Sequence, residues 1–190
     1  PLNAAVMSTY QDEIFNYLTK KENFFSAFEI YQIFPEVKNS LIEQLWSKVK
    51  KNLEELIEEK DWEIGISENI FETYSSLSVD VHDSFGIAFE KLHSQTYYGL
   101  WIDVNDKKLD RLKIDEYASN IEAINRMRKS NDWLGWAYTG ANFDNIETLK
   151  KILPDNRDDY AQELADQLFE LTIELEEDIL KMSKMTKSNT

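Results

Sequence analysis

The stretch that decides the fold is residues 62–104, in which apolar and polar residues alternate. It contains WEIGI at 62–66, LSVDV at 77–81, GIAFEKL at 86–92 and YYGLWIDV at 97–104. A period of two is typical of strands that have one face on a core and the other towards solvent. Because the links between these segments are short, we predict an antiparallel meander of about four strands, followed by a turn.

Helical spacing dominates the residues before the meander. A first helix is predicted over about residues 10–20, and a second over 23–34, ended by Pro35. Ser40 and Glu43 form a capping box, S-x-x-E, at the start of a third helix. The N-terminal part is therefore expected to be helical up to the first strand.

The residues after the meander alternate between the two patterns. Helical spacing returns over 114–127, a short aromatic strand covers 133–138 and is ended by Gly140, and another short helix is predicted over 142–153. A long final helix begins near Asp155, and its apolar residues form a seam for packing on another helix, in this chain or in a partner. The elements together predict an α+β fold with N-terminal helices, an antiparallel meander of about four to five strands and a long C-terminal helix.

The domain organisation predicted from these elements is a single domain over residues 1–190. It has a helical part at 8–60, the β-meander at 61–104, a mixed part at 110–153 and a long acidic helix at 155–187. Met7-Ser8-Thr9 is typical of a natural start. Residues 1–6 are therefore expected to be a vector-derived leftover or the edge of a fragment.

Composition narrows the classes of function. The formal charge is −15, and there is no Cys, which excludes a disulfide scaffold, a thiolate nucleophile and a Cys-ligated zinc. Such a charge repels phosphate backbones and anionic membranes. No run approaches the roughly 20 apolar residues of a membrane span. We expect a cytoplasmic protein with no cofactor, no membrane contact and no direct binding of duplex DNA.

The final helix is the most informative feature for function. Between Asp155 and Asp178 there are ten acids and one base, Arg157, a net charge of −9. A solvated face would explain many acids, but a solvated helix usually mixes signs for pairing four residues apart. A basic protein surface, such as that of a nucleic-acid-binding protein, is the alternative explanation. The residues predicted to contact it are Asp159, Glu163, Asp166, Glu170, Glu174 and Glu177.

The sequence has few patterns that are typical of a catalytic site. The two histidines, His82 and His93, are expected to be surface or core residues, and no G-x-S-x-G or Gly-rich phosphate loop is present. Asp80 and His82, with Asp83 nearby, share a strand, but two ligands do not make a metal site.

Metal-dependent nucleases need an Asp and a (Asp/Glu)-x-Lys triplet held on strands. Three such triplets occur among 57 charged residues, a number that chance explains. They are Glu36-Val37-Lys38, Glu58-Glu59-Lys60 and Asp106-Lys107-Lys108, and only the last follows a predicted strand. We therefore assign no catalytic residue and no metal ligand.

An aromatic set could stack nucleic-acid bases, but base-stacking sites normally lie in a basic groove. The surrounding sequence is not basic, so a core role is expected for these residues. They are Tyr97, Tyr98, Trp101, Trp133, Trp136 and Tyr138.

The segments WEIGI at 62–66, YGLWI at 98–102 and WLGW at 133–136, followed by the long terminal helix, resemble the C-terminal region of bacterial proteins in the PD-(D/E)XK nuclease superfamily. In that family an α/β nuclease core precedes such a region. The resemblance covers about residues 61–182 and includes no strand with the catalytic triplet. It therefore implies a non-catalytic accessory region or a free-standing relative, and no catalytic residue is carried over.

These observations favour a non-enzymatic, acidic protein-binding module whose basic partner works on nucleic acid. Two alternatives stay open. One is a phage-type mimic of nucleic acid that inhibits a host defence protein, and the other is a divergent metal-dependent nuclease of the PD-(D/E)XK type. Helix-mediated homo-oligomerisation is also compatible with the final helix.

Overall fold

The structure, a computed structural model, describes the backbone of residues 2–187 and the side chains of residues 10–187. Pro1 lies outside the described residues, so the expectation about residues 1–6 stays a prediction. Along the described backbone the elements are α1 (Leu2–Leu18), α2 (Lys21–Leu56), β1 (Glu63–Ile66), β2 (Ser76–His82), β3 (Phe85–Glu90), β4 (Gln95–Ile102), α3 (Arg111–Ala118), α4 (Glu122–Asn125), β5 (Trp133–Asn142), α5 (Ile146–Lys151) and α6 (Arg157–Met182).

The chain divides into two compact units, residues 1–40 and 41–190, with the boundary inside α2. The first unit contains α1 and the first half of α2, and none of its side chains from residue 10 to residue 40 is buried. The second unit contains the sheet, the remaining helices and the hydrophobic core. The prediction of a single domain stays a prediction.

The predicted meander and the α+β class are confirmed. The five strands are adjacent in chain order, β1-β2-β3-β4-β5, and every neighbouring pair is antiparallel. The fifth strand is the aromatic segment that begins at Trp133. The first four strands need only local connections, so the short links in the sequence are sufficient to join them; α3 and α4 lie between β4 and β5.

One face of the sheet carries the core. Val79, Ile87 and Leu100 occupy neighbouring strands on this inner face and are fully buried. The part of α2 in the second unit packs here through Trp46, whose ring centroid lies 5.4 Å from that of Phe89. The helix α6 lies against β2 and β3. The second unit thus has two layers, with helices on the inner face of the sheet.

The alternate residues of each strand point to the other, outer face. Near the centre of the outer face, Gly86 occupies a position with no room for a side chain. A Cβ atom there would lie 2.5 Å from the Asp80 carboxylate and 2.6 Å from Nε1 of Trp101. Asp80 is partly buried on this face, and that burial raises the pKa of its carboxyl group.

Two predicted helix boundaries before and after the meander are wrong. Pro35 was expected to end a helix, but it lies inside the 36-residue α2, and Ser40 is an interior residue of the same helix. A proline inside a helix removes one backbone hydrogen bond and costs about 3 kcal/mol. The remaining turns of the long α2 outweigh this cost. Residues 114–127 form two short helices because the side chains of Ser119 and Asn120 bond to carbonyl groups of the last turn of α3.

Two further boundaries near the fifth strand are also wrong. β5 continues through Gly140 to Asn142, and its register against β4 is irregular between Tyr138 and Asn142. The helix predicted over 142–153 begins only at Ile146, since Asn145 caps it by accepting a hydrogen bond from the backbone N–H of Glu147 at 2.9 Å.

Candidate protein-interaction surface

The six acids predicted to contact a partner lie along one line of α6. They are spaced four, three, four, four and three residues apart. Since successive helix residues turn by about 100°, all six fall within an arc of roughly 80°, and the line is about 27 Å long. We refer to this set as the acidic stripe: Asp159, Glu163, Asp166, Glu170, Glu174 and Glu177.

The opposite side of α6 holds the stripe in place. Leu164, Leu168, Leu175 and Ile179 are at most 3% exposed, and the helix packs on β2 and β3. The apolar seam recognised in the sequence is therefore covered by the sheet of its own chain. Because the helix is anchored along this side, the position of the stripe is set by the core.

The carboxylates of the stripe are exposed, except that of Asp166, which is half-buried, and most of them have no cation close by. The side chains of Glu163 and Glu177 are 68% and 90% exposed, and their nearest cations, Lys151 and Lys181, lie 3.9 Å and 3.7 Å away. Among residues 10–187, no lysine or arginine nitrogen lies within 4.0 Å of the other four carboxylates. The stripe is thus a line of like charges that the chain itself leaves mostly unneutralised.

Acids of α6 that lie off the stripe behave differently. Glu176 forms an ion pair with Lys60 at 2.9 Å, which links α6 to the segment before β1. Asp178 accepts a hydrogen bond from the hydroxyl of Tyr117 at 2.7 Å, and this bond raises the pKa of the tyrosine. The structure therefore separates acids that join elements from the exposed acids of the stripe, a division that the sequence did not show.

A shallow groove of about 420 Å³ runs beside the stripe. Its aromatic wall is Tyr98 of β4, whose ring centroid lies 6.3 Å from that of Phe89. Carboxylates next to an aromatic face form the environment that lysine and arginine side chains prefer. The groove is lined by Tyr98, Gln167, Leu171 and four members of the stripe, namely Glu163, Asp166, Glu170 and Glu174.

Tyr98 is the residue of this surface that sequence reasoning missed. It was grouped with Tyr97 as part of one aromatic set, although neighbouring residues of a strand point to opposite faces. Tyr97 lies on the outer face, where its ring contacts the rings of Trp136 and Tyr138. The period-two pattern of YYGLWIDV was the signal that could have separated the two tyrosines.

The aromatic cluster on the outer face is close-packed. Trp133 is 6% exposed, Trp136 is half-buried and Tyr138 is 45% exposed. The guanidinium carbon of Arg128 lies 5.2 Å from the ring centroids of both Trp136 and Tyr138. The ring of Tyr97 packs against those of Trp133, Trp136 and Tyr138, so the chain already supplies Trp136 and Tyr138 with the cation and the neighbouring ring that a stacked ligand would provide.

The Asp106-Lys107-Lys108 triplet lies beside a cleft of about 830 Å³, which Asp106 and Lys107 help to line. It follows β4 in a turn, where Asp106 accepts hydrogen bonds from Ser84 Oγ at 2.7 Å and from the backbone N–H of Lys108 at 3.0 Å. These bonds, the one from Ser84 above all, lower the pKa of Asp106. The carboxylate is thus engaged in forming the turn.

The remaining candidates for chemistry are dispersed. His82 Nδ1 lies 3.4 Å from the backbone N–H of Ser84, and a ring nitrogen of His93 lies 3.1 Å from the carbonyl oxygen of Ile70. Glu36 lies within α2, and Lys60 pairs with α6. In the part of the chain that the structure describes, no three His, Asp or Glu side chains meet as a metal-binding group would require.

Comparison of the chain with protein-family models, with curated proteins and with solved structures gives no match. The resemblance to the PD-(D/E)XK superfamily stays a prediction that rests on the quoted segments. Among the described helices, none combines the length and apolar character that a membrane crossing demands.

Proposed function

We propose that this chain is a non-catalytic binding module that captures a basic segment of a partner protein on its acidic stripe. The observation that supports the proposal is the groove in which Tyr98 lies among four stripe carboxylates. A row of carboxylates that are mostly unpaired attracts cations over a distance, and an aromatic wall favours lysine and arginine once they arrive. The stripe would speed association, and the groove would orient the bound side chain.

The length of the stripe suggests the form of the ligand. About 27 Å is spanned by roughly eight residues of an extended chain. Segments that contain several lysines or arginines in such a length are common in proteins that neutralise nucleic-acid phosphates. This is why we propose a partner that works on nucleic acid, with the stripe contacting its basic segment.

The mimic hypothesis is a special case of this proposal. In it, the basic segment captured by the stripe is the partner's own nucleic-acid-binding surface, so duplex DNA and this chain compete for it. If the chain were instead a simple adaptor, it would bind a basic segment outside the partner's DNA site, and the partner could still bind DNA. Competition between DNA and this chain for the partner therefore separates the two hypotheses once a partner is known.

The first test uses a defined probe, an eight-residue peptide of alternating arginine and alanine labelled with a fluorophore. Fluorescence polarisation is measured over a series of salt concentrations. Reversing Glu163, Asp166, Glu170 and Glu174 to lysine should weaken binding at least tenfold at low salt, because the groove then repels the peptide.

A matched variant controls for net charge. Glu68, Glu72, Asp83 and Glu116 are exposed acids outside α6, and reversing these four to lysine changes the formal charge by the same amount. Binding by this control variant should stay within about twofold of the original, since none of the four lines the groove and charges are screened beyond a Debye length of about 10 Å at 0.1 M salt. Equal losses in both variants would show that the peptide senses only the overall charge, and the proposal would fail.

A further inference from the structure

The described side chains of the first unit include many large apolar ones but form no core. No side chain from residue 10 to residue 40 is buried, and twelve large apolar residues there are between 40% and 76% exposed. The rest of the described chain has eight such residues in nearly five times the length. We refer to residues 10–37 as the apolar arm; its exposed apolar residues are Tyr10, Ile14, Phe15, Tyr17, Phe24, Phe25, Phe28, Ile30, Tyr31, Ile33, Phe34 and Val37.

The apolar residues of the arm surround the helix. In α2, Phe24, Phe28 and Tyr31 lie on one side, because residues three and four apart share a helix face. Ile30 and Val37 point to the opposite side at about 100° per residue. A helix that is apolar all round is found buried, whereas a solvated surface helix has a single apolar face. The arm therefore needs neighbours on more than one side.

The exposed area is of the size that an obligate interface covers. Twelve side chains, mostly aromatic and about half exposed, present on the order of 1,200 Å² of apolar surface. The largest apolar patch on an ordinary monomer is roughly 300–600 Å². Helices in proteins also draw most of their stability from the tertiary packing of their apolar residues. Both comparisons indicate that another surface covers the arm when the protein is folded.

We propose that the apolar arm is a homodimer interface, in which α1 and the first half of α2 from two copies of the chain pack together as four helical segments. Two arms that each cover about 1,200 Å² bury about 2,400 Å² in total, within the range of permanent homodimers and above that of transient complexes. Four segments also provide each helix with neighbours on more than one side. Homodimer interfaces have the apolar, aromatic-rich composition of the arm.

Charge favours a second copy over a membrane surface. Residues 10–37 contain five acids and two lysines, a net charge of only −3 out of the total of −15, so two arms can meet with little repulsion. A helix that lies in a membrane interface has one apolar face and a polar face rich in lysine and arginine. The arm has an excess of acids and no single apolar face.

Analytical ultracentrifugation of the full chain tests the proposal. We expect a species of twice 22.4 kDa at micromolar concentration. Changing Phe24, Phe28 and Tyr31 to serine should raise the dissociation constant at least a hundredfold, because buried aromatic anchors dominate such interfaces. The matched control changes Leu112, Ile146 and Leu153, which are also exposed apolar residues, to serine. This variant should leave the dimer unchanged.

Site-specific crosslinking gives a second measurement in the intact dimer. The chain has no Cys, so Ser26→Cys in the arm and Ser130→Cys in the other unit each provide one thiol. A short bismaleimide should join two copies through position 26 and not through position 130. A monomeric mass at tens of micromolar with native circular dichroism would overturn the proposal, as would flotation of monomers with phosphatidylcholine vesicles.

Discussion

The acidic stripe should lower the stability of the protein that carries it. Glu170 has Asp166 and Glu174 four residues away on either side and no charged residue three residues away. Each like-charge pair at this spacing destabilises a helix by about 0.2–0.5 kcal/mol, and an opposite pair stabilises it by a similar amount. Glu170→Lys converts two repulsive pairs into two attractive ones. The free energy of unfolding should therefore rise by about 1 kcal/mol at low salt.

Glu176 provides the contrasting variant on the same helix. No charged residue lies three or four positions from it, and its carboxylate pairs with Lys60 at 2.9 Å with both side chains about one-third exposed. Glu176→Lys removes this attraction and places two ammonium groups together. Since partly exposed ion pairs contribute up to about 1 kcal/mol, the unfolding free energy should fall by about that amount.

Urea denaturation followed by circular dichroism measures both variants, at low salt and at 1 M salt. At low salt, the unfolding free energies of the two variants should shift in opposite directions and differ by about 2 kcal/mol. Both shifts should shrink at 1 M salt, where charges are screened within about 3 Å. Loss of stability in Glu170→Lys would refute the reasoning, because it would mean that the stripe contributes to the fold. The same variant should bind the arginine peptide more weakly, so that binding and stability change in opposite directions.

Three further predictions concern the fold, pH and catalysis. Trp46→Phe should cost about 1–3 kcal/mol in urea denaturation, because its buried Nε1 donates to the Leu92 carbonyl at 2.6 Å; an unchanged midpoint would contradict this. Burial raises the pKa of Tyr160 to about 12 from 10.0, and since the folded pKa lies above the unfolded one, stability should fall as pH rises from 10 to 12. Denaturation midpoints of Tyr160→Phe should decline less over that window. We expect no DNA hydrolysis with Mg²⁺ or Mn²⁺, because Asp106 is engaged in a turn; cleavage that disappears in Lys108→Ala would reverse this conclusion.

Much of the fold could be predicted because its elements are local. The alternation in residues 62–104 predicts strands directly, and short links leave an antiparallel meander as the simplest arrangement. Helix boundaries were less predictable where one local signal, such as a proline, opposed the helical tendency of the residues around it. Pro35 is a strong local breaker, yet the whole of α2 continues through it. The helix α5 begins at Ile146 and not at 142, because the side chain of Asn145 completes the cap there.

The candidate surface was predicted in part. The excess of acids after Asp155 is evident in the sequence, and the six chosen acids share one line because helix geometry is regular. The groove was not predictable, because Tyr98 comes from a strand far away in the chain and reaches α6 only through the packing of the sheet. The exposure of the apolar arm was also unpredictable, since its aromatic spacing is equally typical of a helix in a core.

By itself, the sequence determined the class of fold, the absence of thiol chemistry and the concentration of negative charge in the last helix. These properties depend on periodicity, composition and charge, which are local or additive along the chain. Tertiary structure alone decided which acids are paired, which tyrosine faces α6 and which apolar residues lack a core. These properties depend on contacts between residues far apart in the chain, such as Lys60 and Glu176. Such residues become neighbours only when the whole sheet and its helices have packed.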